Sequence, residues 1–232
     1  MDFAPFEQKI GYSFKDKRFI EQAFTHRSYL NENRGTSAGR RSEHNERLEF
    51  LGDAVLELVV TEFLYSKYPD KPEGELTAYR AALVNTVSIA DAATVLGMNE
   101  FLLLSRGESR DTGRARQIIL ANAFEALIGA LYLDSGYEAA KDFIAAQLFH
   151  KTDEVVSKRL WQDAKSKLQE IAQEKMKLTP IYQLLDQSGP DHDRVFVVGA
   201  YLGQEKAATG EGRSKQEAEQ DAAQKALAAK GW

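Results

Sequence analysis

The chain has 232 residues, of which 43% are hydrophobic and 28% charged, and its 30 basic and 35 acidic side chains leave a net charge of −5. This length allows one large domain or a large domain followed by a small one. The absence of cysteine excludes disulfides and cysteine-based metal or nucleophile sites, and is typical of a reducing compartment. The acidic balance speaks weakly against nucleic acid, because phosphate binding depends on local Lys and Arg side chains.

We expect a cytoplasmic protein with no membrane partner. No apolar run approaches the roughly 20 residues that span a bilayer. The opening stretch MDFAPFEQKIGYSF has neither the basic start nor the apolar core of a signal peptide.

The first two thirds of the chain predict an all-α domain. Apolar residues recur at three- and four-residue spacing from residue 7 to about residue 150, and stretches of polar or turn composition interrupt them at 31–45, 68–75 and 105–116. Helices are therefore predicted over 46–68, 76–96 and 117–133. The polar residues 151–160 are interpreted as a short hinge.

The last third has a different pattern. An amphipathic helix over 164–176 is followed by three short alternating segments, at 180–189, 194–203 and 205–212, and by an Ala-rich helix over 214–229. The order α-β-β-β-α predicts a small α+β domain in which two helices cover one face of a sheet.

Acidic side chains occupy unusual positions on two of the predicted helices. Glu46, Glu49 and Asp53 stand at i, i+3 and i+7 among mostly apolar residues, which places them within about 60° on one helix face. Asn122 and Glu125 repeat the pattern on the helix 117–133. Carboxylates that converge to about 5 Å repel by about 3 kcal/mol per pair at an effective dielectric of about 20. All-oxygen ligands favour Mg²⁺ or Mn²⁺ as the offsetting cation, and such ions support phosphodiester hydrolysis.

The spacing alone leaves a second interpretation equally open. The carboxylates could be solvated, or paired with cations such as Arg47 and Arg80, as most helix acids are. Glu57, one turn beyond Asp53, is interpreted as structural. His26 and His44 are interpreted as core or capping residues, and Asn45 as the N-cap of the helix that follows it.

Five ordered blocks give the chain a resemblance to the ribonuclease III family. NERLEFLGDAVL (45–56) closely matches the family signature, and THRS (25–28), GELTAYRAALVN (74–85), GE (107–108) and ILANAFEALIGALYLD (119–134) follow the family's order. The resemblance runs over essentially the whole chain. It implies an all-α catalytic domain (1–150), a hinge (151–160) and a small α+β double-stranded-RNA-binding domain (161–232).

The activity that the resemblance implies is endonucleolytic hydrolysis of double-stranded RNA with Mg²⁺ as cofactor and Mn²⁺ as a substitute, leaving 5′-phosphate and 3′-hydroxyl ends. The family works as a homodimer and processes rRNA, mRNA and tRNA precursors. Two rival interpretations remain at this point. One is a non-catalytic double-stranded-RNA-binding protein on the same fold, and the other is a structural helical scaffold with surface carboxylates.

The resemblance also implies roles for individual residues. Asp53 and Glu125 match catalytic residues, and the implied metal ligands are Glu46, Asp53, Asn122 and Glu125. The supporting acidic positions are Glu49, in the same cluster, and Glu75 and Glu108, which match positions associated with substrate handling or weaker metal contacts. Asn122 departs from the Asp of many family members, and the amide keeps a carbonyl oxygen but removes a charge.

Residues 163–230 resemble a double-stranded-RNA-binding domain, which spans about 16 base pairs and reads shape more than sequence. The implied RNA contacts are Gln169 and Glu170 on the first helix, Pro190 and His192 in the turn after the first strand, and Arg213, Ser214 and Lys215 at the start of the last helix. Gln216 stands where the family often carries Lys. Phe196, Val198 and Tyr201 are interpreted as sheet core, because a duplex offers no unstacked bases.

Overall fold

The structure is a computed structural model that describes residues 1–33, 43–159, 161–190 and 194–232. The chain divides into two compact units, Met1–Trp161 and Gln162–Trp232. The first unit is helical, and the second contains a three-stranded antiparallel sheet with helices. The predicted fold class, an all-α domain plus an α+β domain, is confirmed.

The described helices of the first unit include all three predicted regions. They are α1 (Ala4–Ile10), α2 (Lys17–Ala23), α3 (Arg27–Glu32), α4 (Glu46–Lys67), α5 (Glu73–Leu83), α6 (Thr86–Val95), α7 (Arg114–Ser135), α8 (Tyr137–Leu148) and α9 (Thr152–Ser157). The predicted single helix 76–96 is wrong, because it is two helices. Asn85 has an extended backbone and its side chain accepts a hydrogen bond from the Ser88 N–H at 2.9 Å, so it caps a new helix.

Two long helices, α4 and α7, form the centre of the first unit. A Cβ added to Gly52 of α4 would lie 1.7 Å from the backbone oxygen of Glu125, and one added to Gly129 of α7 would lie 2.3 Å from that of Leu48. The two helices therefore touch backbone to backbone. The expectation that no apolar run approaches the length of a membrane span is wrong for α7, which could cross a membrane by length and composition. However, 61% of its most apolar window is buried inside the fold, as in a core helix.

The segment predicted to be a hinge is largely helical in the structure. Helix α9 lies within it, Thr152 is fully buried, and Val155 and Val156 pack against the core of the first unit. Trp161 follows, and its ring meets that of Tyr79 edge-on with centroids 5.1 Å apart. The segment KTDEVVSKRL contains no Pro or Gly to end a helix. Its last residue, Leu160, lies outside the described residues.

The second unit follows the predicted α-β-β-β-α order. Its elements are α10 (Ala164–Met176), β1 (Ile181–Ser188), β2 (Val195–Leu202), β3 (Glu205–Gly212) and α11 (Lys215–Lys230). The sheet order is β1-β2-β3. Helix α11 packs closely on β3, since a Cβ on Gly210 would lie 2.1 Å from the Ala222 nitrogen. The alanines of α11 permit this approach.

The sheet-core interpretation is confirmed for one residue and corrected for another. Val198 is 2% exposed and faces the helices, and Phe196 is half-buried on the same side. Tyr201 lies on the opposite face, because side chains alternate along a strand. A Cβ on Gly199 would lie 2.8 Å from its ring.

Candidate functional site

The crossing of α4 and α7 determines which polar side chains meet. Glu49 and Asp53 flank the α4 glycine, while Asn122 and Glu125 occupy the facing turns of α7. The Asn122 side chain lies close enough to Glu49 to oppose the rise that burial causes in the pKa of that carboxyl. Asp53 and Glu49 both act electrostatically on Glu125. The structure thus brings together polar residues of two helices that are far apart in the chain.

The cluster carries uncompensated negative charge. Burial, followed by the charges of Asp53, Glu49 and Glu57, raises the pKa of Glu125 to about 7. Burial, followed by the charges of Glu46 and Asp53, also raises the pKa of Glu49, although the neighbouring Asn122 amide acts in the opposite direction. Both raised pKa values mean that the ionised carboxylates are disfavoured in this environment, so a nearby cation would stabilise them.

Ion pairs partly neutralise the acidic residues of α4. Glu57 pairs with Arg80, whose Nε lies 2.7 Å from Oε2, as expected for a structural residue, although its charge also acts on Glu125. Glu46 lies 3.4 Å from an Arg27 nitrogen and 3.8 Å from His44 Nδ1. These last two contacts are long and solvent-exposed, so they contribute little and can be exchanged for another partner.

The donor set suits a hard divalent cation. Glu46, Asp53, Asn122 and Glu125 all offer oxygen atoms, the ligand type that Mg²⁺ and Mn²⁺ prefer. Glu46 and Asp53 are exposed, whereas Asn122 and Glu125 are half-buried, so the cluster is open to solvent on the α4 side. Within the described ranges, no three Asp, Glu, His or Cys side chains already stand in an ion-binding group. Asn122, whose amide oxygen could also bind an ion, is not one of these four residue types.

Glu108 and Glu46 both act electrostatically on His26. The ring of His26 caps α3, with Nδ1 accepting a hydrogen bond from the Ser28 N–H at 3.3 Å, which confirms the capping interpretation. Burial lowers the pKa of His26, and the charges of Glu108 and Glu46 oppose this shift. Both carboxylates therefore lie close to the imidazole.

Asn45 does not cap α4 as predicted. It occupies the N-cap position, but its side chain makes no capping bond. Its Nδ2 instead donates to the Ala23 carbonyl at 3.3 Å, and its backbone N–H donates to the Thr25 carbonyl at 2.9 Å. Asn45 thus fixes the start of α4 against the preceding segment.

Glu75 is held at the start of α5. Its carboxylate accepts a hydrogen bond from the Tyr79 hydroxyl at 2.7 Å and pairs with Lys71 at 2.8 Å. The Lys71 hydrogen bond is the main cause of its lowered pKa. These contacts tie Glu75 to its own helix and not to the α4–α7 cluster.

Most of the residues implied in RNA binding lie on the surface of the second unit. Gln169 and Glu170 are exposed on α10, and Glu170 accepts a hydrogen bond from Gln162. Pro190 is exposed beyond β1. His192 lies outside the described residues.

Arg213, Ser214 and Lys215 are exposed at the start of α11. Ser214 caps the helix by accepting a hydrogen bond from the Glu217 N–H at 3.1 Å, and the Glu217 carboxylate accepts one from the Arg213 N–H at 3.0 Å. Sequence reasoning missed this capping arrangement, although Ser and Glu three residues apart are its usual signal. It places a carboxylate beside the cations that were expected to meet phosphate.

Comparisons with known proteins agree with this arrangement. The family described as Ribonuclease-III-like matches residues 16–152, and the Double-stranded RNA binding motif matches residues 164–230. Ribonuclease 3 of Protochlamydia amoebophila is 44% identical over 95% of this chain and 89% of its own length. Ribonuclease 3 of Bacillus licheniformis is 46% identical over 97% of this chain and 89% of its own.

Solved structures of the Campylobacter jejuni ribonuclease III nuclease domain are also similar. One, at 2.2 Å resolution, shares 43% identity, covers 65% of this chain and 96% of its own, and has a TM-score of 0.56. Another, described for structural flexibility in a region involved in dimer formation, shares 41% identity, covers 63% and 98%, and has a TM-score of 0.55.

A helical unit of the ribonuclease III type, followed by a double-stranded RNA binding motif, defines an endoribonuclease that acts on double-stranded RNA. The two matched regions and the full-length similarity show that this chain belongs to the ribonuclease III family. The comparisons give no support to the non-catalytic alternative.

Proposed function

We propose that the α4–α7 cluster holds Mg²⁺, with Mn²⁺ as a substitute, and that cleavage leaves 5′-phosphate and 3′-hydroxyl ends. The observation that carries this proposal is the contact at Gly52 and Gly129, which sets carboxylates and an amide from two helices at one solvent-open place. When bound, such ions activate water and stabilise the leaving oxygen.

The side chains of the cluster have distinct parts in this proposal. Glu46, Asp53, Asn122 and Glu125 would hold the metal through their oxygens, and Asp53 and Glu125 are the proposed catalytic pair. Asn122 lies beside Glu49 and favours its ionised form. Because a carboxylate can only accept hydrogen bonds, the amide NH₂ would face Glu49 and leave the carbonyl oxygen available for an ion.

The test is cleavage of long double-stranded RNA by the purified protein in Mg²⁺ and in EDTA. We expect Glu125→Ala to abolish cleavage and to retain RNA binding, while Glu100→Ala, at an exposed carboxylate in a 3₁₀ turn, cleaves normally. Cleavage by Glu125→Ala at the wild-type rate would refute the site. Duplex binding without cleavage in both Mg²⁺ and Mn²⁺ would favour the non-catalytic alternative.

We propose that the protein acts as a homodimer. On α4 the side chain of Phe50 is 82% exposed, and on α7 that of Leu133 is 49% exposed. Both line a groove with Phe19, Leu48 and Leu51, so each copy would offer a large apolar side chain and an adjacent groove to a two-fold partner. A two-fold pair would present one cluster to each strand of a duplex.

Sedimentation of Phe50→Asp tests the dimer. We expect a monomer that remains folded by circular dichroism, because Phe50 contributes little to the core of its own chain. A Val95→Asp variant, at an exposed apolar residue that ends α6, is the matched control and should remain dimeric. A dimer that survives Phe50→Asp would refute this surface.

We also propose that the chain works in the cytoplasm on rRNA, mRNA and tRNA precursors. The support is its resemblance to the family and the absence of cysteine. Depletion of the protein in its own organism should cause uncut rRNA precursors to accumulate, as RNA sequencing would detect. Fractionation of the same cells tests the location.

A further inference from the structure

The motif Thr25–Ser28 has no part in the chemistry proposed above, yet it contacts both segments that carry acidic residues at the edge of the cluster. The Thr25 carbonyl accepts a hydrogen bond from the Asn45 N–H at 2.9 Å, next to Glu46 at the start of α4. Thr25 also forms an isolated parallel bridge with Leu103. The motif therefore lies between α4 and the segment that leads to Glu108.

The hydroxyl of Ser28 links this motif to the Glu108 loop. It accepts a hydrogen bond from the Ser105 N–H at 3.1 Å. The hydroxyl of Ser105 in turn accepts one from the Glu108 N–H at 3.3 Å. Two serine hydroxyls thus connect α3 to the backbone of Glu108.

The imidazole of His26 also contacts the Ser28 hydroxyl. Its Nδ1 lies 2.8 Å from the Ser28 oxygen. If the serine proton points to Nδ1, the lone pairs of the oxygen remain available for the Ser105 N–H. One hydroxyl then satisfies both the imidazole and the loop.

We infer that Ser28 is a positioning residue, whose hydroxyl, through Ser105, holds Glu108 in a fixed place relative to Glu46. This inference rests on the proposed function of the cluster and on the role in substrate handling or weaker metal contacts that the family resemblance implies for Glu108. Ser28 itself touches neither RNA nor the reacting atoms in this account. Removal of its hydroxyl breaks this link and leaves Glu108 held only by other contacts, such as the hydrogen bond from Arg116 to its carbonyl at 2.6 Å, without changing any proposed ligand.

A double-mutant cycle in duplex cleavage tests the inference. We expect Ser28→Ala to lower kcat by about 10- to 100-fold, the usual cost of removing a residue that orients a ligand. In the Glu108→Gln background Ser28→Ala should lower kcat almost no further, because both substitutions remove the same function. Ser28→Thr keeps the hydroxyl and should restore cleavage. Ser109→Ala, whose hydroxyl donates to the Arg106 carbonyl within the same loop, is the control.

Amide hydrogen exchange gives a readout that does not depend on activity. Ser28→Ala should speed exchange at Ser105 and Glu108, and Ser105→Ala should speed it at Glu108. Unchanged exchange, unchanged kcat, or equal losses in the two Glu108 backgrounds would each overturn the inference. If Ser28→Ala does not fold, Ser105→Ala serves in both measurements. If wild-type protein does not cleave RNA, the proposed function fails, whereas the exchange measurement still tests the link.

Discussion

Replacement of Glu125 by Gln should stabilise the metal-free protein above neutral pH. Burial and neighbouring carboxylates raise the pKa of Glu125 from 4.5 to about 7. Below pH 4.5 the group is protonated in both the folded and unfolded states, and it does not change their balance. As the pH rises from about 4.5 to about 7, the unfolded state ionises first, so the free energy of unfolding falls.

The size of the effect follows from the pKa. Each pKa unit corresponds to about 1.4 kcal/mol, so the rise to about 7 corresponds to about 3 kcal/mol. The side chain keeps some contact with water, which lowers the expected gain to about 2 kcal/mol. For a unit of this size that gain raises the melting temperature by about 4–8 °C.

Thermal melts in EDTA between pH 4 and pH 8 measure this gain. Wild-type protein should lose stability from pH 4.5 to pH 7, and Glu125→Gln should lose less. Glu100→Gln, at an exposed carboxylate, should follow the wild type. In excess Mg²⁺ the advantage of Glu125→Gln should shrink, since the ion stabilises the ionised cluster of the wild type. Equal melting temperatures for Glu125→Gln and wild type at pH 8 in EDTA would refute the reasoning.

Three further predictions concern the crossing of α4 and α7, the RNA surface at the start of α11, and the Asn122 amide. Gly52→Ala should lower the free energy of unfolding by about 3 kcal/mol or more in a denaturant melt, because its Cβ would meet the backbone of α7. The control Gly74→Ala has open space around it and should be neutral or stabilising by up to about 1 kcal/mol. Equal effects of the two substitutions would argue against the close crossing of α4 and α7. Arg213→Ala combined with Lys215→Ala should weaken binding to all duplexes alike and flatten its salt dependence, and a loss selective for sequence would indicate base contacts. Asn122→Asp should lower the Mg²⁺ concentration needed for cleavage because it adds a charge to the cluster, so an unchanged requirement in a Mg²⁺ titration would remove this residue from the ligand set.

Local patterns in the sequence were sufficient to predict the main elements. The 3.6-residue spacing of apolar residues predicted α4 and α7, and alternation predicted the three strands, because each pattern reports which face of an element is buried. The break at Asn85 was missed, since apolar residues on both sides continue the helical spacing. Its N-cap role depends on one side-chain bond to Ser88.

Exposure was harder to predict than secondary structure. Helix α4 is apolar around most of its circumference, a pattern typical of a buried helix, yet Phe50 and Tyr65 on it are 82% and 75% exposed. Periodicity identifies apolar residues, but it does not say whether the chain itself or another copy covers them. The sequence therefore predicted the helix correctly and its surroundings only in part.

The position of the acidic residues depends on a contact that no local pattern reveals. Gly52 and Gly129 each lie within a stretch of sequence that predicts a helix, and only the packed structure shows that the two glycines meet. The same two helices carry fully buried side chains such as Leu56 and Leu127, and each contributes about 1.5–3 kcal/mol. A few of them offset the repulsion among the carboxylates, so the helices stay together, and burial followed by this repulsion raises the pKa of Glu125. A cation between the helices would relieve that repulsion without any change in their packing, which is why a rigid core can support an acidic site.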